Sequence, residues 1–287
     1  MTITMRSSTP HPVRMQRIVV LGATSGLALE IQRQLARQGR ELLLVARSPQ
    51  RLSELRSDLL ARGAKQVLTV AADLARIQHH AGIYDFVRHS FPNFDTVLLA
   101  YGTMEDQEDS EASVDVLLDE LNVNFVSAAA LLTLFAADLE QRRTGCLAAI
   151  TSVAGDRGRR SNYVYGSAKG ALSLFLQGLR SRLHPAGVKV ITIKPGPVQT
   201  FMTDHMANSA RFAPPERVAR ARRRPRPGTP LPRRPLHSMV LAAHHDRSPP
   251  PARNPIQTPG LLSVESGIPA RFVCRRSMVC PLRSSRR

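Results

Sequence analysis

Short apolar runs alternate with longer amphipathic segments over the first two thirds of the chain. The runs carry Val, Leu, Ile and Ala at consecutive positions, which is typical of strands buried on both faces of a parallel sheet. The segments between them space apolar residues three or four apart, which predicts crossover helices such as 49–62. The pattern therefore predicts a single-domain α/β fold with a doubly wound parallel sheet. Strands are predicted at residues 17–22, 41–46, 66–71, 96–100 and 189–194, and at a segment around Cys146.

A glycine-rich turn follows the first predicted strand. Gly22 and Gly26 lie in the segment Gly-Ala-Thr-Ser-Gly-Leu-Ala, and an amphipathic pattern continues to about Gln38. A strand, a tight glycine turn and a helix N-terminus together form a cradle in which backbone N–H groups and the positive helix end bind a pyrophosphate. The same glycines also suit a plain strand-to-helix turn without a ligand, so this motif alone leaves both interpretations open.

A tyrosine and a lysine stand four residues apart in the segment Tyr-Gly-Ser-Ala-Lys. The apolar spacing predicts a helix from Asn162 onward, which places Tyr165 and Lys169 on one face. A free tyrosine titrates near pH ~10, and an adjacent ammonium favours the phenolate, so we expect Lys169 to lower the pKa of Tyr165. With the hydroxyl of Ser152, the pair can move a proton onto a carbonyl oxygen. The alternative is that Tyr165 and Lys169 are ordinary surface residues.

These motifs occur in the order found in a known family. From residue 15 to residue 218 the chain resembles the short-chain dehydrogenase/reductase (SDR) family, single-domain Rossmann folds that transfer hydride between a nicotinamide cofactor and a carbonyl or alcohol. Two segments depart from the family pattern: Ala28 replaces a glycine, and Ala100-Tyr101-Gly102 replaces Asn-Ala-Gly. The matching positions are 22–28, 100–102, Asn124, Ser152, Tyr165, Lys169 and the Pro-Gly-x-x-x-Thr segment 195–200.

The resemblance implies a role for each matched residue. Tyr165 would protonate the substrate oxygen, Ser152 would hydrogen-bond it, and Lys169 would hold the nicotinamide ribose. Asn124 would carry a water that links Lys169 to solvent. The alternatives are that Asn124 only interrupts a helix and that Ser152 only caps a strand end. The implied cofactor contacts are Gly22, Thr24, Ser25, Gly26, Leu27, Arg47, Asp73, Leu74, Ala100, Gly102, Tyr165, Lys169, Pro195, Gly196, Val198 and Thr200.

The choice of cofactor depends on the residue after the second strand. An acidic residue there binds the ribose hydroxyls of NAD, whereas this chain has Arg47, whose guanidinium matches a 2′-phosphate bidentately. We therefore expect NADP(H) to be preferred and NAD(H) to be possible. Ser25 supplies no basic residue, and Arg47 can also be a solvated residue at a helix start. Asp73 would contact the adenine, and it can equally serve as a helix N-cap.

The segment before and after Tyr165 is most similar to reductases of lipid-linked keto-pentose sugars, of the decaprenylphosphoryl-2-keto-pentose type, in bacterial cell-wall assembly. The resemblance thus implies reduction of a ketone to a secondary alcohol. Substrate identity is expected to reside in the acidic segment 105–120, with eight carboxylates, and in the segment 201–212, where Phe201, Met202 and Met206 can cover an apolar substrate. The acidic segment has no ordered ligand spacing, so we expect no metal site.

The net charge of +18 is concentrated at one end of the chain. Residues 205–287 contain 17 Arg, no Lys, three acidic residues and 14 of the 21 Pro, so their net charge is +14. A Pro/Arg-rich segment buries too little apolar surface to fold, and we expect a disordered tail at 218–287 and a disordered extension at 1–14 around the SDR domain 15–217. Clustered arginine can bind nucleic acid, but no aromatic interleaving or RNA-binding module accompanies it, so a specific nucleic-acid partner is not expected.

Codon logic suggests that the tail is translated out of frame. The Met239-Val240 codons force a tryptophan codon when the frame is shifted by one nucleotide, and residues 233–243 can then encode a strand followed by an aromatic helix start. The family usually has a seventh strand, and the strands predicted here end with the sixth at 189–194, so we hypothesise that this chain has lost the seventh. The alternative functions are therefore a catalytically impaired SDR-derived chain with an exposed sheet edge, or a basic-tailed nucleic-acid-binding protein.

Composition points to a reducing, aqueous compartment. Cys146, Cys274 and Cys280 form no metal-binding or disulfide pattern, which suits the cytoplasm. No apolar run reaches the ~20 residues of a transmembrane helix, and the longest, 128–137, suits a buried interface helix. The family resemblance implies a homo-dimer or tetramer, provided that the C-terminus permits it.

Overall fold

Six parallel strands form one sheet in the order β3-β2-β1-β4-β5-β6. This computed structural model describes residues 15–204 and 211–220. The order reverses direction between β1 and β4, which places a crevice at the carboxyl ends of these two strands. The predicted doubly wound Rossmann sheet is confirmed. The strands are β1 Arg17–Leu21, β2 Glu41–Ala46, β3 Gln66–Ala71, β4 Thr96–Leu99, β5 Cys146–Ile150 and β6 Lys189–Ile193.

Helices connect successive strands and cover both faces of the sheet. Ser48 caps α2 by accepting the backbone N–H of Arg51 at 3.3 Å, and Pro49 occupies the first turn, where its missing N–H costs nothing. The helices are α1 Gly26–Arg37, α2 Pro49–Ala61, α3 His80–Ser90, α4 Gln107–Ala112, α5 Val114–Leu121, α6 Ser127–Arg142, α7 Tyr163–Leu183 and α8 Pro215–Ala219. A π-helical turn, Asn122–Val126, joins α5 to α6.

Two apolar layers hold the sheet between its helices. Val19 and Leu21 of β1 point into the layer that contains α3, α6 and α7, whereas Ile18 and Val20 point into the layer that contains α1, α2 and α8. All four side chains are fully buried, which explains why β1 is apolar at every position. The core thus fixes the carboxyl ends of the strands, where ligands bind in a Rossmann fold.

The segment Val114–Arg142 is the one helical stretch in the described part of the chain that is long and apolar enough to cross a membrane by length and composition. A core helix of a globular protein passes the same test. Four side chains of α6 are fully buried in the apolar layer that contains α3, α6 and α7: Leu131, Leu132, Phe135 and Leu139. The burial of these side chains accounts for the apolar composition of the segment, as predicted for 128–137.

The strand β6 forms the edge of the sheet, and residues 15–204 and 211–220 contain no seventh strand. The short helix α8 contacts α1 and buries Ala219, so the described fold continues past residue 217, where we expected the domain to end. The expected extension at 1–14, the frameshifted segment 233–243, Cys274, Cys280 and most of the expected tail lie outside the described residues.

Candidate active site

Helix α7 carries the tyrosine and the lysine on one buried face. Buried residues recur along it at three- or four-residue spacing, so Tyr165 and Lys169 continue the stripe that Leu172 and Leu176 bury in the core. Gly155 and Gly170 let α7 approach the segment after β5, because a Cβ on Gly170 would lie 2.9 Å from the Gly155 carbonyl oxygen. This close approach brings Ser152, at the end of β5, to Tyr165. The interpretation of Tyr165 and Lys169 as ordinary surface residues is wrong.

Asn124 and Lys169 meet beneath Gly102. A Cβ added to Gly102 would lie 2.5 Å from Asn124 Oδ1 and 2.8 Å from Lys169 Nζ, so both groups lie directly behind this glycine. Asn124 is buried in the π-helical turn, and its Nδ2 donates to the carbonyl oxygens of Thr103 at 3.0 Å and Glu120 at 3.1 Å. A π-helical turn redirects side chains and often marks a functional site. Asn124 therefore does more than interrupt a helix.

Burial moves the pKa of Tyr165 upward, opposite to the direction expected from the sequence. It raises the pKa of Tyr165 to about 12, while the Ser152 hydrogen bond lowers it and the charge of Glu120 raises it. Burial lowers the pKa of Lys169 to about 8, and the charge of Glu120 opposes that change. The Lys169 Nζ lies 5.7 Å from the centroid of the Tyr165 ring. The sequence-based expectation failed because burying a phenolate costs more than a distant ammonium returns.

The structure agrees with both interpretations of Ser152, as a cap at the end of a strand and as a neighbour of the site tyrosine. Its Oγ accepts the backbone N–H of Ala154 at 3.1 Å, so it does cap the short turn after β5. It also hydrogen-bonds Tyr165, as its effect on the pKa of that phenol indicates. The cap fixes the hydroxyl next to the tyrosine.

A cavity of about 790 Å³ opens at the carboxyl ends of β1 and β4. Two predicted residues, Asn124 and Lys169, lie outside its lining, behind Gly102. The other predicted site residues all line it: Gly22, Thr24, Ser25, Gly26, Leu27, Arg47, Asp73, Leu74, Ala100, Gly102, Ser152, Tyr165, Pro195, Gly196, Val198 and Thr200.

The glycine turn has the shape of a phosphate cradle. Gly22 has φ +88°, and a Cβ there would lie 2.6 Å from the Cβ of Tyr101, so only glycine fits. A Cβ on Gly26 would lie 2.7 Å from Thr200 Cγ2. The buried Ser25 Oγ has no hydrogen-bond partner within the described ranges, and the first N–H groups of α1 face the same space. These features fit a dinucleotide pyrophosphate.

The substitution of Tyr101 into the family's Asn-Ala-Gly pattern is accommodated by the fold. The Tyr101 hydroxyl hydrogen-bonds Ser127 Oγ at 2.7 Å, and burial raises the pKa of this phenol strongly. Tyr101 thus stays neutral and packs against the apolar layer under the sheet. The cavity therefore stays open although Tyr101 stands where the family pattern has alanine.

Arg47 and Asp73 border the same end of the cavity. Arg47 is exposed, and Arg51, one turn along α2, lines the cavity beside it. Asp73 Oδ1 accepts the backbone N–H of Ala75 at 3.1 Å and its other oxygen lies 3.6 Å from Arg76. Asp73 thus closes a local turn, but it is not the N-cap of a helix, because the helical segment begins at Ile77 after Arg76. The guanidiniums of Arg47 and Arg51 make this end of the cavity positive.

Sequence reasoning missed three residues near the site. Arg51 could have been found from its spacing of four after Arg47 on a predicted helix. Arg159 and the buried Glu120 gave no local signal, since an arginine in a loop and an acid in an acidic run are normally solvated. Within the described ranges no group of His, Cys, Asp or Glu could hold a metal ion.

The order of these motifs is matched by one protein family. The sequence model of short chain dehydrogenases matches residues 16–210, more than half of the chain. The protein belongs to the short-chain dehydrogenase/reductase family. This SDR is 34% identical over 204 residues to an uncharacterized oxidoreductase of Mycobacterium tuberculosis, covering 71% of this chain and 82% of that one. It is also 34% identical over 182 residues to an uncharacterized oxidoreductase of Streptomyces coelicolor, covering 63% and 72%.

Solved structures support the same fold. An L-sorbose reductase of Gluconobacter frateurii, complexed with NADPH and L-sorbose, superposes with a TM-score of 0.64 at 23% identity, covering 72% of this SDR and 88% of that chain. An alcohol dehydrogenase of Thermococcus sibiricus, complexed with 5-hydroxy-NADP, also gives 0.64 at 23% identity, covering 70% and 86%. These structures show that this SDR has a Rossmann fold, and its membership in the family makes it an oxidoreductase.

Proposed function

We propose that this SDR reduces a ketone to a secondary alcohol with NADPH, with Tyr165 as the proton donor. The observation that carries the proposal is the convergence of Ser152, Tyr165 and Lys169 beside a cavity whose far end is a phosphate cradle. The cofactor would supply hydride to the carbonyl carbon. Because burial keeps the Tyr165 phenol protonated at neutral pH, its hydroxyl can donate a proton to the carbonyl oxygen.

Ser152, Lys169 and Asn124 would orient Tyr165 and return a proton to it after each reaction. Ser152 hydrogen-bonds the phenol and can donate to the same carbonyl oxygen. Lys169, whose Nζ lies 5.7 Å from the centroid of the Tyr165 ring, would hold the nicotinamide ribose. Asn124 Oδ1 and Lys169 Nζ both lie behind Gly102. A water carried by Asn124 would link Lys169 to solvent, from which Tyr165 would regain its proton.

The positive end of the cavity favours NADPH over NADH. Arg47 and Arg51 lie where the adenosine ribose of a bound dinucleotide would carry its 2′-phosphate, and no acidic residue follows β2. The NADP(H) complexes of the Gluconobacter and Thermococcus proteins agree with this choice.

Titration of reduced-nicotinamide fluorescence tests the cofactor assignment. We expect NADPH to bind more tightly than NADH, and Arg47→Ala to weaken NADPH binding by about tenfold, since a charge-assisted bond of ~1.4 kcal/mol is lost. NADH binding should change little. Arg37→Ala is the matched control, because Arg37 is exposed on α1 and lies outside the cavity lining. Absence of binding by either nucleotide would favour the catalytically impaired alternative.

Removal of one hydroxyl tests the proton donor. Tyr165→Phe should lower kcat for ketone reduction by roughly 10²-fold or more while NADPH still binds, because the acid is lost and the ring remains. Tyr163→Phe, two residues earlier on α7 and 43% exposed, should keep wild-type turnover. Loss of NADPH absorbance follows turnover in both variants. Equal turnover by Tyr165→Phe and wild type would remove Tyr165 from the mechanism.

The substrate end of the cavity combines apolar and polar groups. Phe201 is 84% exposed beside Met202, while Arg159 and Asn162 line the wall near Tyr165, and Asn162 Oδ1 has no hydrogen-bond partner within the described ranges. We propose a keto-sugar that carries an apolar group, of which a lipid-linked keto-pentose is one example. Parallel assays with a free ketose, its phosphate and a lipid-linked form discriminate among these. Met206 lies outside the described residues.

Location and assembly remain predictions. We expect a cytoplasmic protein, because the three cysteines of the sequence form no metal-binding pattern and suit a reducing compartment. A homo-dimer or tetramer is expected from the family. Light scattering of the purified protein measures the assembly directly.

A further inference from the structure

Glu120 is a buried carboxylate next to the catalytic machinery. It lies at the end of α5, one helical turn before Asn124, and only 1% of it is exposed. Asp115 and Asp119 on the same helix are exposed. Charged carboxyl groups are almost never fully buried unless a partner compensates the loss of water. Burial raises the pKa of the Glu120 carboxyl group, so its charged form calls for a compensating positive charge.

The contacts of Glu120 do not provide that charge. Its Oε2 accepts a long hydrogen bond from Ser110 Oγ at 3.4 Å, and the backbone N–H of Glu105 also donates to the carboxyl group. Its Oε1 is buried and has no hydrogen-bond partner within the described ranges. Its backbone carbonyl accepts from Asn124 Nδ2 at 3.1 Å, so the main chain of Glu120 is tied to the site.

The charged and titratable groups that face Glu120 come from two elements besides its own. Glu105, from the segment before α4, repels it, whereas Lys169 of α7 attracts it and Tyr165 of α7 feels its charge. Lys169 is the one cation among them. It is 3% exposed, and no carboxylate of the described residues approaches it within ion-pair distance.

We propose that Glu120 is a positioning residue whose buried carboxylate is the counter-charge that keeps Lys169 in the ammonium form beside Tyr165. The inference rests on the proposed function of Tyr165 and Lys169. Burial drives Lys169 toward the neutral amine, and a negative charge in the same low-dielectric region opposes that drive. Glu120 also keeps Tyr165 protonated, which suits a proton donor.

NMR of ¹³C-labelled lysine side chains measures the proposed effect without any substrate or cofactor. The chain contains only four lysines, Lys65, Lys169, Lys189 and Lys194, so the signal of Lys169 is assigned by its loss in Lys169→Met. Glu120→Gln should lower the titration midpoint of Lys169 by about one pH unit, a tenfold change in its proton equilibrium. Glu120→Asp should retain a midpoint near that of the wild type.

Asp119→Asn is the matched control, because it removes the same charge from the exposed neighbouring position of the same helix. It should leave the midpoint of Lys169 unchanged, since solvent screens an exposed carboxylate. An unchanged midpoint in folded Glu120→Gln, or an equal shift in Asp119→Asn, overturns the proposal. If Glu120→Gln does not fold, Glu120→Gln/Lys169→Met should fold because neither charge then remains unpaired, and failure of that double variant also overturns it.

The pH profile of turnover separates this inference from the proposed function. In Glu120→Gln we expect the dependence of kcat on pH to shift in the same direction as the Lys169 midpoint, with Glu120→Asp close to wild type. A shifted Lys169 midpoint in a protein that reduces no ketone supports the counter-charge and overturns the function. If the enzyme reduces a ketone but Glu120→Gln leaves the Lys169 midpoint unchanged, the proposed function is supported and the counter-charge is overturned.

Discussion

At the scale of single residues, Gly102 separates the cavity from the buried groups behind it. Lys169 Nζ and Asn124 Oδ1 both lie within 3 Å of where its Cβ would be, so the positions of both groups depend on the absence of one methyl group. The family resemblance predicted a glycine at this position, but the reason for it comes from side chains 22 and 67 positions later. The family resemblance therefore predicted the glycine at position 102, and the structure explains why a larger residue would not fit there.

Gly102→Ala should displace Lys169 and Asn124 while leaving the core intact. We expect kcat to fall by roughly 10²-fold, because misplacing catalytic groups by about an ångström has an effect of that size. Circular dichroism should show a wild-type fold. Gly82→Ala is the control, since nothing lies within 4 Å of its Cβ position and alanine favours a helix. Wild-type turnover in Gly102→Ala would show that the two groups can shift without consequence.

At the scale of elements, helix α7 links packing to chemistry. Lys169, Leu172 and Leu176 lie on the same buried face of α7 because they are three or four residues apart. The spacing that packs the helix into the core therefore also buries the lysine. Helix α7 was predicted from that spacing to begin at Asn162, and it begins at Tyr163. The strands for which bounds were predicted and the helix now seen as α2 agree with the structure to within one residue at their ends. The π-helical turn Asn122–Val126 was not predicted, because one extra residue in a turn leaves no periodic signal.

Two leucines of α7 test the packing. Leu172→Ala should lower the free energy of unfolding by ~2–5 kcal/mol, since a fully buried side chain leaves a cavity. Leu174→Ala, two residues later and 68% exposed, should change it by less than ~1 kcal/mol. Denaturant unfolding followed by circular dichroism measures both. Equal losses in the two variants would contradict the observed orientation of α7.

At the scale of the whole molecule, charge and fold occupy different parts of the chain. The first 204 residues carry a net charge of +4 and hold all six strands of the described sheet, whereas residues 205–287 carry +14. The high overall charge therefore describes the C-terminal segment rather than the reductase domain. The family match covers residues 16–210 and so leaves out most of the basic segment.

The sequence by itself determined the fold class and the positions of most strands, because periodicity is a local property, and the family resemblance pointed to Ser152, Tyr165 and Lys169 as site residues. Only the tertiary structure decided the direction in which the pKa of Tyr165 moves, since that depends on how much water the surrounding segments exclude. The burial of Glu120 near Lys169 likewise requires α4, α5 and α7 to meet. Solvent exclusion and long-range contacts are not encoded at any one position, and they appear only when the chain is folded.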